Sequence, residues 1–120
     1  MLDKNSIDLN RRGAPRMDVS PPWTARLDRW GNAISAELID ISEGGAKFRS
    51  SDSSIETGIR KGRLTGWTVN LPSGVQSRFR AEIRWFSRLP EGHIIGVHFY
   101  DTIDPFLLKE IAQLESPAPA

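Results

Sequence analysis

The chain alternates apolar and polar residues in short runs separated by glycine and proline, the period of strands half-buried against a core. From Asn32 to Ser42, Ile34, Ala36 and Leu38 share one face and Ser35 and Glu37 the other. Continuing that period puts Asp40 and Ser42 on the face of Ile34 and Leu38, where the apolar run stops. Gly44-Gly45 then reverses the chain, and Ala46-Lys-Phe-Arg49 returns with Ala46 and Phe48 inward and Lys47 and Arg49 outward, a predicted hairpin. Trp67-Thr-Val-Asn-Leu71 is another strand, closed by Pro72 and the Ser73-Gly74 turn. The clearest alternation runs from Val75 to Trp85, with Phe79, Ala81, Ile83 and Trp85 against Arg78, Arg80, Glu82 and Arg84. Pro90-Glu-Gly92 turns the chain into His93 to Tyr100, where Ile95, Val97 and Phe99 share a face.

The pattern weakens towards the ends. Residues 1 to about 16 mix charge, Asn, Ser and Gly without an apolar period and read as a mobile arm with arginines at its inner edge. Pro21-Pro22 interrupts what would otherwise be a strand, which resumes at Trp23-Thr-Ala-Arg-Leu27 before a turn at Trp30-Gly31-Asn32. Ser50 to Ser54 reads as a loop, followed by a basic stretch punctuated by Gly58 and Gly62. Helical spacing occurs only near the end: Asp104 as N-cap, Pro105 at the first position, then Leu107, Leu108, Ile111 and Leu114 before Pro117. So short a helix needs to dock its leucine face on the sheet. Five or six strands joined by tight turns, without intervening helices, predict an antiparallel barrel or sandwich and argue against a parallel sheet.

Composition narrows the function. The 120 residues fit one domain. We expect a domain over residues 11–115, a flexible arm over 1–10 and a disordered tail over 116–120. A formal net charge of +1 gives no field for nonspecific nucleic-acid binding, so any anion site must be local. The absence of cysteine excludes disulfides, thiolate metal sites and a cysteine nucleophile. The polar start Met1-Leu-Asp-Lys-Asn-Ser does not read as a signal peptide and no apolar run approaches membrane-spanning length, so a cytoplasmic protein without membrane insertion is expected. His93 and His98 fall on opposite strand faces and have no third partner for a metal. Asp40, Ser42 and a histidine do not make a hydrolase, because neighbours on one strand do not supply triad geometry and no nucleophile elbow is present.

Two short signatures carry chemistry. Arg12-Gly-Ala-Pro-Arg16 offers two guanidiniums that hold phosphates bidentately, engage guanine O6 and N7, or lie on a purine face. Asp40-Ile-Ser-Glu-Gly-Gly45 offers a carboxylate to accept from guanine N1 and N2, a hydroxyl, and a glycine that admits close backbone approach. Each motif alone is common: an arginine cluster is usually a solvated face, and Asp-x-Ser before Gly-Gly is ordinary turn chemistry. Their order and separation resemble the PilZ domain, whose signature is R-x-x-x-R followed on a later hairpin by D/N-x-S-x-x-G. Arg12 and Arg16, then Asp40, Ser42 and Gly45, match it, and Arg11 supplies the further arginine often found before the motif. Ala81-Glu-Ile-Arg-Trp85 and Gly96-Val-His-Phe99 resemble the family's late strands, and the resemblance spans roughly residues 11 to 115.

The resemblance implies a six-stranded antiparallel (split) β-barrel with a C-terminal α-helix that is not an enzyme. Its ligand would be cyclic di-GMP, with no cofactor and no metal, and the arm carrying Arg11, Arg12 and Arg16 would close over the nucleotide and signal to a downstream protein partner. Ser42 and Gly45 would serve beside Asp40. Trp85 is in phase with the core residues of its strand, yet a tryptophan near a strand end also suits stacking on guanine, and it is retained as a ligand contact. Two other functions fit the residues. One is a barrel that binds single-stranded nucleic acid through Trp67, Phe79, Trp85 and neighbouring arginines. The other is a PilZ-like adaptor that binds protein without nucleotide.

Overall fold

The computed structural model describes residues 16–28, 33–101 and 105–115. Arg11 and Arg12, the turn at residues 30–32, the expected N-cap Asp104 and both chain ends lie outside them. Six strands follow in order: β1 Met17–Asp28, β2 Ile34–Ile41, β3 Gly45–Ser50, β4 Leu64–Asn70, β5 Gln76–Leu89 and β6 Gly92–Phe99. A one-turn helix, α1 (Ile55–Gly58), connects β3 to β4, and α2 (Pro105–Glu115) follows the barrel. All pairings are antiparallel and the sheet closes in the order β1-β2-β3-β6-β5-β4, so the expected barrel with a C-terminal helix is the architecture found.

The inward residues of every strand meet in one core. Phe48 stacks on Trp67 with centroids 3.9 Å apart and planes 6° from parallel, and Phe79 meets Phe99 edge-on at 4.9 Å. Trp67 is wholly buried and needs a partner for its indole N–H. Thr65 supplies it: Trp67 Nε1 donates to Thr65 Oγ1 at 2.7 Å, and that hydroxyl donates to the Ala81 carbonyl at 2.9 Å. With Trp67 and Phe79 inside, two of the three aromatics suggested for nucleic-acid stacking are not on the surface.

The outer face is polar and partly paired. Arg80 donates to both carboxylate oxygens of Asp101 and lies 5.0 Å from the Tyr100 ring, which holds the end of β6 against β5. The Arg80 guanidinium keeps the Asp101 carboxyl below its ordinary range. At the other end of β6, Glu56 of α1 pairs with Arg88 and lies 3.3 Å from His93 Nε2.

Four expectations are corrected. β1 runs as an extended segment through Pro21-Pro22, but its pairing with β2 slips by three residues between Asp18 and Trp23, so the prolines interrupt the ladder and not the strand. α1 was not expected: its Ile55 and the following Ile59 turn into the core. On α2, Leu107 and Ile111 dock while Leu108 is exposed. The fourth is the phase of Asp40 and Trp85, which decides the site.

Candidate functional site

β2 and β5 each carry one residue more than their partner strand near the same end of the barrel. On β2, Leu38 faces Phe48 but Asp40 faces Lys47; on β5, Ile83 faces Val97 but Trp85 faces Gly96. Such a bulge reverses the side-chain phase of everything beyond it. Asp40 therefore leaves the face of Ile34 and Leu38, and Trp85 leaves that of Phe79, Ala81 and Ile83, contrary to the uninterrupted period. Ile41 takes the core position instead and is fully buried, whereas Trp85 is 40% exposed.

The two bulges place their residues in one transverse row. The ladders pair Asp18 with Asp40, Asp40 with Lys47, Lys47 with Gly96, and Gly96 with Trp85, across five strands on the outer face. The indole of Trp85 lies on Gly96: a Cβ there would stand 2.3 Å from both its Cε2 and Nε1. Lys47 extends its ammonium to 5.8 Å from the Trp85 ring centroid and 3.8 Å from Asp40 Oδ2. Arg16, immediately before β1, holds the other carboxylate oxygen, with Nη1 donating to Asp40 Oδ1 at 3.2 Å. The Asp40 carboxylate is thus nearly enclosed, with one cation on each oxygen, while the Arg16 side chain is 48% exposed.

The β2–β3 turn forms the neighbouring wall. Ser42 N–H donates to the Gly45 carbonyl at 2.9 Å, Gly44 N–H donates to Ser42 Oγ at 3.3 Å, and Phe99 N–H donates to the Gly44 carbonyl at 3.0 Å. Ser42 is buried in this turn. Gly45 is required by strand packing, since a Cβ would come within 2.3 Å of the Val97 carbonyl oxygen; Gly44 has open space around it. The structure thus uses Ser42 and Gly45 to shape the turn and leaves Gly44 as the accessible backbone. Between turn, bulge and β6 lies an open groove of about 760 Å³, lined by Arg16, Glu43, Gly44, Arg84, Trp85 and His98 among others. Its size suits a small organic ligand. Arginine and aromatic surface together suit a planar anionic one.

Of the residues named from sequence, Arg16, Asp40, Ser42, Gly45 and Trp85 converge here. Lys47, Gly96 and Arg84 were not singled out. Lys47 and Arg84 read as outer-face cations, and only the pairing across β3, β6 and β5 brings Lys47 beside Trp85 and Arg84 into the lining of the groove. Among the described residues no group of three His, Asp or Glu side chains is arranged to hold a metal, and no helix is long and apolar enough to cross a membrane.

A family model described as PilZ domain matches residues 10–114. The chain belongs to the PilZ domain family. Among solved structures, it is similar to the PilZ domain with c-di-GMP of YcgR from Escherichia coli. That match has 18% identity, covers 88% of this chain and 92% of the other, and has a TM-score of 0.70. The Bacillus subtilis inhibitor of motility (MotI/DgrA) is similar at 19% identity and a TM-score of 0.66, over 88% of this chain and 48% of that one. The longer structure of YcgR in complex with c-di-GMP from Escherichia coli matches at 17% identity and a TM-score of 0.65, over 88% of this chain and 44% of that one. The chain therefore spans about half the length of these two larger proteins. At such identity the likeness shows the PilZ fold. A search of curated proteins returned no match.

Proposed function

We propose that this PilZ domain is a receptor module for cyclic di-GMP and not a catalyst. The observation that carries the reading is the 3.2 Å contact between Arg16, the last residue of the first signature, and Asp40, the first of the second, at the groove that exposes Trp85. Two residues 24 positions apart, Arg16 suited to phosphate or the guanine Hoogsteen edge and Asp40 to the guanine N1 and N2 donors, meet beside a stacking surface. The fold shared with a YcgR domain whose structure contains c-di-GMP supports the same ligand.

In this reading the Arg16–Asp40 pair is the resting state. The ligand draws Arg16 to a phosphate or a guanine Hoogsteen edge, and the guanine N1 and N2 donors replace it at Asp40. Arg11 and Arg12 close over the nucleotide from the preceding segment, and the repositioned arm is the surface a downstream protein reads. Trp85 stacks on a base, Gly44 admits the ligand to the backbone, and Ser42 and Gly45 maintain the turn. We take residues 11–115 as the binding unit and the cytoplasm, where a soluble second messenger is read, as its place of action.

Calorimetric titration with cyclic di-GMP tests this. Arg12→Ala and Arg16→Ala should each lose a charge-assisted contact of about 1.5–3 kcal/mol, a drop in affinity of roughly 10- to 150-fold, with the fold intact. Unaltered affinity in both variants would refute the assignment. Affinity for oligonucleotides that rises with length and collapses with salt would favour the single-stranded nucleic-acid reading instead.

A further inference from the structure

Lys47 occupies a position that neither signature covers. It stands between Asp40 and Trp85 in the transverse row, and its path to the indole is open because Gly96, the residue between them, has no side chain. Among the described residues its ammonium donates no hydrogen bond: at 3.8 Å from Asp40 Oδ2 it makes an ion pair longer than hydrogen-bond contact. Among the described residues no acceptor holds its three donors, which sit on a flexible four-carbon stem over the ring of Trp85, the tryptophan that lines the groove.

We infer that Lys47, beside the groove, is its base-discriminating residue, donating to O6 and N7 of a guanine stacked on Trp85. This rests on the cyclic di-GMP reading and refines it. Stacking on an indole accepts any base, since every base has a π-face, so Trp85 cannot choose. Asp40 chooses incompletely: it accepts from guanine N1 and N2, but an adenine amino group also offers it a proton. The Hoogsteen edge differs in sign. Guanine presents two acceptors there, adenine one acceptor and the N6 donor, and an ammonium, which only donates, is matched to the first and opposed to the second. A purine laid on the exposed indole face at van der Waals distance, about 3.5–4 Å, brings its edge within the sweep of Nζ. Gly96 keeps the indole low enough for this geometry, because any side chain there would lift the ring into the space of the base.

The experiment titrates the wild-type protein, Lys47→Met and Lys47→Arg with cyclic di-GMP and with its adenine counterpart, cyclic di-AMP. Lys47→Met, which keeps the stem and loses the charge, should bind cyclic di-GMP about tenfold or more weakly while cyclic di-AMP binding holds or improves. Lys47→Arg, also a pure donor with the fork for O6 and N7, should retain the selectivity. Equal loss for both nucleotides would make Lys47 a general attractor of anions and overturn the inference, as would no loss for either. A cyclic di-GMP analogue with carbon in place of N7 provides a readout on the unmodified protein: it should bind wild type several-fold more weakly than the parent, and Lys47→Met should narrow that difference. Wild type that binds no cyclic di-GMP overturns the receptor reading and this inference with it. Wild type that binds, with selectivity untouched by Lys47→Met, overturns this inference alone.

Discussion

Three glycines around the groove should respond differently to alanine, for reasons set by what a Cβ would meet. At Gly45 the new atom would fall 2.3 Å from the Val97 carbonyl oxygen, where real Cβ atoms essentially never come closer than 3.0 Å. The obstacle is backbone on the paired strand, so β3 and β6 must separate locally. Overpacking of this kind costs about 1–3 kcal/mol. The separation also strains the Phe99-to-Gly44 and Ser42-to-Gly45 hydrogen bonds, each contributing about 1 kcal/mol. Gly45→Ala should therefore destabilise by about 2–4 kcal/mol. At Gly96 the clash has the same length, but its partner is the indole of Trp85, 40% exposed and free to swing outward. The lost packing is then offset by the roughly 0.5–1 kcal/mol that alanine regains over glycine inside a strand, leaving stability nearly unchanged. Gly44 has open space and no left-handed backbone, so Gly44→Ala should be neutral or slightly stabilising. Urea unfolding followed by far-ultraviolet circular dichroism measures all three. An equal loss for Gly45→Ala and Gly96→Ala, or a larger loss for Gly44→Ala than for Gly45→Ala, would refute the reasoning. If the order holds, Gly96→Ala becomes a folded protein with a displaced Trp85, in which the contribution of stacking to ligand affinity is measured without touching the tryptophan.

Thr65→Val should cost about 1–3 kcal/mol in the same assay, because it strands the buried indole N–H of Trp67, while Thr65→Ser restores the acceptor and most of the stability. Asp101 should titrate below the ordinary carboxylate value of about 3.9, since the Arg80 bidentate contact favours its charged form. A depressed folded pKa contributes stability that is present above the unfolded value and is lost as pH falls through the folded one. Carbon-detected nuclear magnetic resonance of the Asp101 carboxyl reads the shift directly, and Asp101→Asn should remove that part of the acid dependence. A titration at or above the ordinary value would show that the pair is not formed in solution.

Alternation was a reliable guide wherever each residue of a strand faces one residue of its neighbour. Ile34 to Leu38, Ala46 to Arg49, Phe79 to Ile83 and Ile95 to Phe99 all show the expected inward and outward residues. It failed at Asp40 and Trp85 for one physical reason. A bulge is a property of two strands, an extra residue on one relative to the other, and a single run of sequence carries no sign of which pairing it will meet. The motif residues were legible because the order and separation of two individually common motifs match a known signature; Lys47 and Gly96 were not, because a lysine on an outer face and a glycine in a strand are ordinary until the strands on either side are known. The failure and the site have the same cause. A regular ladder would bury Trp85 in the core and turn Asp40 inward beside Leu38, leaving the outer row with neither a stacking surface nor an acceptor. By adding one residue to β2 and one to β5 at the same level of the barrel, the chain moves both groups to the outside, with Lys47 and Gly96 between them. Deleting a bulge residue, Ile39 or Arg84, should accordingly do more harm to ligand binding than substituting it, because deletion restores the ladder and reverses the face of Asp40 or Trp85.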